Sequence, residues 1–196
     1  MNETSLSLLD RIRETSDSES WNRLVALYTP LLKRWLRRYD IQDSDAEDIT
    51  QEVMSVLLNE LPKFQHNRRT GAFRSWLRKI LVNRLRDYWR GAKYQPVATG
   101  TSSLDEKLNQ LQDDSSKLSQ IWNGEHDRYV LKRLMRVIQS QFEPKTWEAF
   151  ERQVLDGHKP EKVAGDLEMS MSGVYTAKYR VLNALRRESE GLIDEF

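Results

Sequence analysis

Apolar residues recur at three- and four-residue steps along most of the chain, the spacing of amphipathic helices. Over residues 20–39 the apolar positions are Trp21, Leu24, Val25, Leu27, Tyr28, Leu31, Leu32, Trp35, Leu36 and Tyr39. Pro30 falls inside this run and is expected to kink the helix or divide it in two. The next helix is expected to start at Ser44, with Glu47 three residues on completing a capping box. Its inward stripe is Ile49, Val53, Val56 and Leu57, and Pro62 ends it. Residues 65–71 read as a polar loop. Phe73, Trp76, Leu77, Ile80, Leu81, Leu85 and Tyr88 then mark a long helix to about Arg90. No period-two alternation and no hairpin turn signal appears, so the fold class is all-α.

From Gly91 to about Gly124 the pattern weakens into Ser, Gln, Asp and Asn, with only Leu104, Leu108 and Leu111 at helical spacing. This stretch is expected to be a linker between two domains. Helical spacing resumes with Tyr129, Leu131, Leu134, Val137, Ile138 and Phe142. Pro144 suits the first turn of a helix carrying Trp147, Phe150, Val154 and Leu155, which Gly157 closes. Pro160 opens a short helix with Val163, Ala164 and Leu167, and Ser170 caps a last one with Val174, Ala177, Val181, Ala184 and Leu185 inward. A short helix, a tight connection at Glu168 and Met169, and a capped second helix fit a helix-turn-helix. An ordinary helical hairpin fits the same pattern. In a helix-turn-helix the second helix meets the major groove, and the outward positions here are Ser172, Tyr175, Thr176, Tyr179, Arg180 and Asn183.

Composition narrows the class. Of 196 residues, 38% are hydrophobic and 31% charged. The longest apolar run is Leu24 to Tyr28, far short of the roughly 20 residues a membrane span needs, so no membrane insertion is expected. No secretory signal is visible at the N-terminus. The absence of Cys removes disulfides, thiolate zinc and thiol catalysis, and a reducing cytoplasm is the simplest location.

The net charge of +1 argues against a simple basic nucleic-acid binder until it is divided along the chain. Residues 40–60 hold 7 acidic residues and no basic one, whereas residues 63–94 hold 10 basic residues and one acid, Asp87. Residues 99–127 are acidic again, with 6 acids against 2 bases. Such asymmetry points to two partners of opposite charge, although solvated helix faces that neutralise each other fit as well. Arg74, Arg78, Arg86 and Arg90 are expected on the outer side of the 73–90 helix, with Phe73, Trp76, Tyr88 and Trp89 near them. Cations neutralise phosphates and aromatic faces stack on unpaired bases, a combination suited to single strands. Phe73, Trp76, Leu77 and Ile80 also lie at core spacing. Asp48 and Glu52 are like charges four residues apart, with Gln51 beside them, an arrangement that a basic partner helix would explain. Clustered carboxylates also occur in metal-dependent nucleases, but here no His or distant acid converges on them, and no metal or other cofactor is expected. His66, His126 and His158 are scattered and read as ordinary surface or loop histidines. A free-standing helix-turn-helix regulator is the alternative reading, and it leaves the acidic helix without a role.

Three segments carry a resemblance: Asp45-Ala-Glu-Asp-Ile-Thr-Gln-Glu-Val53, Phe73-Arg-Ser-Trp-Leu-Arg-Lys-Ile80 through Asn83, and Asp87-Tyr-Trp-Arg90. With them the chain resembles the extracytoplasmic-function (ECF) class of bacterial RNA polymerase sigma factors, over about residues 20–95 and more weakly 128–188. The resemblance implies two small helical domains joined by a flexible linker, the second a helix-turn-helix. It divides the chain into residues 1–95 (region 2), 96–125 (linker) and 126–196 (region 4). It implies a non-enzymatic promoter-specificity subunit that binds core RNA polymerase and promoter DNA, with an anti-sigma factor as a further partner. Polymerase contact would fall to Asp48, Gln51 and Glu52, on the coiled coil of the largest subunit, and the flap would be a second docking point. The loop from Gln65 to Gly71 matches the segment that captures a flipped −10 base. Contact with the −10 non-template strand would fall to Asn67, Arg68, Arg69, Arg74, Arg78, Asn83, Arg86 and Arg90. The −35 element would meet Ser170, Ser172, Tyr175, Thr176, Tyr179 and Arg180. The acidic excess at Asp105, Glu106, Asp113 and Asp114 would mimic nucleic acid in a polymerase channel. Four positions depart from the family: Glu168 where it has Gly, Tyr175 and Ala177 where it has Lys and Arg, and Lys178, placed to snorkel, where it has Leu.

Overall fold

The computed structural model describes residues 7–15, 17–39, 41–64, 71–91 and 101–193. Among these residues every regular element is helical: α1 (Leu8–Thr15), α2 (Ser18–Leu36), α3 (Asp43–Glu60), α4 (Ala72–Gly91), α5 (Thr101–Gln112), α6 (Lys117–Gln139), α7 (Pro144–Val154), α8 (Pro160–Asp166) and α9 (Met171–Ser189), with short 3-10 turns after α2 and α3.

Local chemistry sets the helix starts. Asp17 accepts hydrogen bonds from the Glu19 and Ser20 amides at the head of α2, Ser116 from Ser119 at α6, and Ser170 from Gly173 at α9. Pro144 and Pro160 occupy first-turn positions, where no amide is needed. Two details differ from expectation. The α2 helix runs unbroken through Pro30, because Leu24, Leu27, Tyr28 and Leu31, Leu32, Trp35, Leu36 are buried on both sides of it. Their burial outweighs the ~3 kcal/mol that an interior proline costs. The α3 helix starts at Asp43 behind Gln42, which makes no side-chain cap. The expected capping box does not form, and Glu47 instead accepts from Lys33 of α2 at 2.9 Å.

The α2, α3 and α4 helices pack around Leu31, Trp35, Val53, Leu57, Phe73, Leu77 and Leu81, with α1 closing one end. The larger departure lies in residues 96–125, expected to be a flexible connection. From Thr101 to Gln112 this stretch is helical, and α6 begins at Lys117. Leu108, Leu111 and Trp122 are completely buried in the same core as α2–α4. The polar residues that looked like linker composition shape the corner between the two helices. Asp113 accepts from the Ser115 amide, and the Ser119 hydroxyl donates to the Leu111 carbonyl at 2.9 Å. The second half of α6 carries the chain to α9 through Val130, Leu134, Ile138, Val181 and Leu185. A second, smaller core of Ala149, Val163, Ala164, Val174 and Ala177 holds α7, α8 and α9 together.

Candidate functional site

The acidic surface is built by α3. Ala46, Ile49, Thr50, Val53 and Leu57 face the core, which turns Asp48, Gln51 and Glu52 outward, and all three are exposed. Glu52 lies 3.9 Å from Arg84 of α4. Among the described residues Asp48 has no ion pair, so its charge faces solvent alone. The neighbouring Asp45 is engaged, accepting from the Tyr88 hydroxyl at 2.6 Å.

The basic helix α4 differs from its expected geometry. Arg74 and Arg78 are not on an outer side: the Arg74 side chain is 10% exposed and that of Arg78 is fully buried. Both point into the groove between α4 and the α5–α6 corner. Arg74 pairs with Asp127 at 2.5 Å. Arg78 pairs with Asp114 and donates to the Asn123 side-chain oxygen at 2.9 Å. Burial pulls the Arg78 guanidinium below its usual pKa, and Asp114 opposes that pull. Further along, Gln112 donates to Asn83 at 3.1 Å and Arg86 donates to Asn109 at 2.6 Å. Arg90 is exposed, 3.7 Å from Asp87. Asn67, Arg68 and Arg69 lie outside the described residues.

Gly71 opens α4 at φ +72°, and a Cβ there would sit 2.7 Å from the Arg74 guanidinium. The glycine is needed both for its left-handed backbone and for the close approach of that side chain. The aromatic residues of α4 pack rather than project. Phe73 is completely buried, Trp76 stacks on Phe64 at 4.6 Å, and Trp89 meets Tyr39 edge-on.

Asp127 also accepts from or pairs with His126 Nδ1 at 2.9 Å. His126 is fully buried, with its other ring nitrogen 3.1 Å from the Tyr28 hydroxyl. It is a core histidine, not the surface or loop residue the sequence implied. The partners of the α4 arginines were missed individually. The available signal was the acidic excess of residues 99–127 set against the basic excess of 63–94.

In the C-terminal unit the α8–α9 turn is tight, with the Met169 amide donating to Ala164 at 2.9 Å. Glu168 holds φ +47°, a left-handed conformation that fits glycine better. Val174, Ala177 and Val181 are buried, so Ser172, Tyr175, Thr176, Lys178, Tyr179 and Arg180 project outward together. Tyr175 and Tyr179 are 52% and 65% exposed. Ser170 is also exposed, its hydroxyl engaged in the cap. Asn183 is half-buried.

With these surfaces placed, comparison with known proteins is informative. Residues 24–94 match the family model of sigma-70 region 2. Over this stretch the chain is similar to sigma-70 region 2. The RNA polymerase sigma factor CnrH of Cupriavidus metallidurans is 25% identical over 92 residues, which cover 47% of this chain and 47% of that protein. The chain thus spans about half the length of the curated relative it matches. A chain of the RsbN–BldN complex is similar over 91% of this chain and 97% of its own, at 19% identity and a TM-score of 0.36. The matched stretch contains both charged surfaces, acidic α3 and basic α4. The acids that close over α4, Asp114 and Asp127, lie beyond it in sequence.

Proposed function

We propose that the chain is a promoter-specificity subunit, a sigma factor of ECF type that binds core RNA polymerase and directs promoter recognition, melting and initiation. The observation that carries this reading is the pairing, within region 2, of an outward acidic face on α3 with a cationic helix α4. A subunit that must dock on a protein and contact DNA needs both signs, separated in space. In this reading Asp48, Gln51 and Glu52 meet a basic helix of the polymerase, and Arg74, Arg78, Asn83, Arg86 and Arg90, with Asn67, Arg68 and Arg69, meet the −10 region. The outward face of α9, from Ser170 and Ser172 through Tyr175, Thr176, Tyr179 and Arg180, meets the −35 region. Residues 1–95 and 126–196 serve as the two DNA-contacting parts, joined through 96–125. The subunit works in the cytoplasm and performs no chemistry of its own, since the polymerase supplies catalysis.

The test is run-off transcription from a genomic promoter library with added core polymerase, together with a core pull-down. The parent chain is expected to direct specific starts. Asp48→Lys with Glu52→Lys is expected to reduce core retention at least tenfold, because opposite charges in the interface become like charges. Retention of core by the double variant at the parent level refutes the docking assignment. Absence of specific starts refutes the function.

A further inference from the structure

The polar face of α4 is occupied by the chain itself. Reading down α4 from its C-terminal end, Arg86 meets Asn109, Asn83 meets Gln112, Arg78 meets Asp114 and Asn123, and Arg74 meets Asp127. The partners rise in number as the α4 positions fall, so the α5–α6 corner lies antiparallel along the helix. Each arginine in this series donates to a side-chain oxygen. A nucleic-acid backbone would offer the same guanidinium groups phosphate oxygens, in the same charge-assisted bonds.

We propose that the free chain is self-masked: the α5–α6 corner presents carboxylate and amide oxygens to the α4 arginines, and a single-stranded nucleic acid must displace the corner to reach them. The inference rests on α4 being the strand-contacting helix of the proposed function.

Three observations give the mask its physical content. Closure is complete where it matters, because no phosphate reaches Arg78, whose side chain is fully buried. The corner is a folded structure, anchored by completely buried Leu108, Leu111 and Trp122 and by the Ser119 hydroxyl on Leu111. Yet the acids themselves sit at its rim, Asp114 61% exposed and Asp127 29% exposed. A competing polyanion therefore meets the pairs from solvent, while the apolar anchors hold the corner shut against casual opening. Arg86 and Arg90 remain partly or fully exposed, so a strand can make first contact at the C-terminal end of α4.

The experiment is fluorescence anisotropy of the full chain with a labelled single-stranded DNA of about 20 nucleotides, long enough to cover one binding site. Asp114→Asn with Asp127→Asn removes the two masking charges. Glu151→Gln with Asp156→Asn removes two charges from exposed positions of α7 and the turn after it. The masking pair is expected to tighten binding about tenfold over the parent. It is also expected to steepen the salt dependence by about 0.7 log unit for each further phosphate that the arginines neutralise. The control pair is expected to change affinity less than about threefold by its general effect on net charge. Equal affinities for the two double variants overturn the mask.

Circular dichroism establishes whether the masking variant keeps its helices. If it does not, hydrogen exchange on the unaltered chain decides. Saturating strand is expected to accelerate amide exchange in residues 101–127 while α2 and α3 stay protected, and unchanged exchange overturns the proposal. Adding Arg86→Ala and Arg90→Ala to the unmasked chain separates the two levels of the argument. If they do not weaken strand binding, α4 is not the strand-contacting helix and the proposed function loses its DNA surface. If they weaken it but unmasking brought no tighter binding, only the mask fails.

Discussion

Trp122 decides whether residues 96–125 connect two domains or form part of the first. Its side chain is completely buried, and its ring meets Trp35 edge-on at 4.7 Å between centroids. Burying roughly 200 Å² of tryptophan at ~25 cal/mol per Å² is worth about 5 kcal/mol. The aromatic contact adds about 1 kcal/mol. Against this, the indole nitrogen is buried without a hydrogen-bond partner, and removing it recovers about 1–2 kcal/mol of desolvation. Trp122→Ala is therefore expected to cost about 3–5 kcal/mol, the range of large-to-small core substitutions. Trp122→Phe keeps a ring in place and discards the unpaired donor, so its cost is expected within about 1.5 kcal/mol. Urea unfolding followed by far-UV circular dichroism measures both from the midpoint and slope. A side chain on a flexible connection would shift stability by no more than about 0.5 kcal/mol. A Trp122→Ala cost below about 1 kcal/mol, or a Phe variant as destabilised as the Ala variant, refutes the packing argument.

Glu168→Gly is expected to stabilise the chain by about 0.5–1 kcal/mol, since glycine relieves the left-handed backbone at φ +47° at some cost in unfolded-state entropy; thermal unfolding reads it as a rise of a few degrees. Ser170→Ala is expected to cost about 1 kcal/mol by removing the α9 cap, seen in the same measurement. Burial, with Asp127 nearby, raises the Tyr28 pKa well above its usual 10. Its stabilisation is then intact below about pH 10, where both states hold the proton. It is lost as pH rises further, because the unfolded state releases the proton first, with a slope of about 1.4 kcal/mol per pH unit. Urea midpoints between pH 9 and 11.5 measure that slope, and Tyr28→Phe is expected to reduce it.

The elements that sequence periodicity identified are those whose stripes are long and continuous. The α2, α4 and α9 helices fall where Leu24 to Leu36, Phe73 to Leu85 and Val174 to Leu185 place them. The α5 helix was obscured because it needs little apolar surface of its own. Leu108 and Leu111 suffice when α4 and α6 supply the rest, and the polar residues that follow it, Asp113, Ser115 and Ser119, serve the corner. The same limit applied to charge. Within residues 63–94 only Asp87 was available to ten cations. The acids that bury Arg74 and Arg78 stand 53 and 36 residues away, a distance local counting does not cross. His126 was misplaced for the same reason, since its environment comes from Tyr28, 98 residues earlier. The outward face of α9 was legible because Ser170, Val174, Ala177 and Val181 fix the rotation of that helix by themselves.

The net charge of +1 is thus a sum of contacts as well as of residues. Arg74 cancels against Asp127, Arg78 against Asp114, and Arg38 against Glu125, all between the region 2 helices and α6 or the corner before it. The acidic face of α3 pairs elsewhere, Asp43 with Arg37 at 2.8 Å, Glu47 with Lys33 at 2.9 Å and, more loosely, Glu52 with Arg84 at 3.9 Å, while Asp48 is unpaired among the described residues. The two surfaces of region 2 are therefore unequally available. A protein partner with a basic helix finds Asp48, Gln51 and Glu52 of α3 open, whereas a nucleic-acid strand finds α4 closed at Arg74 and Arg78 and open only toward its C-terminal end. Under the proposed function this inequality orders the encounter. Polymerase docks first on a surface that costs nothing to expose. Strand contact follows, once the corner over α4 gives way to phosphate.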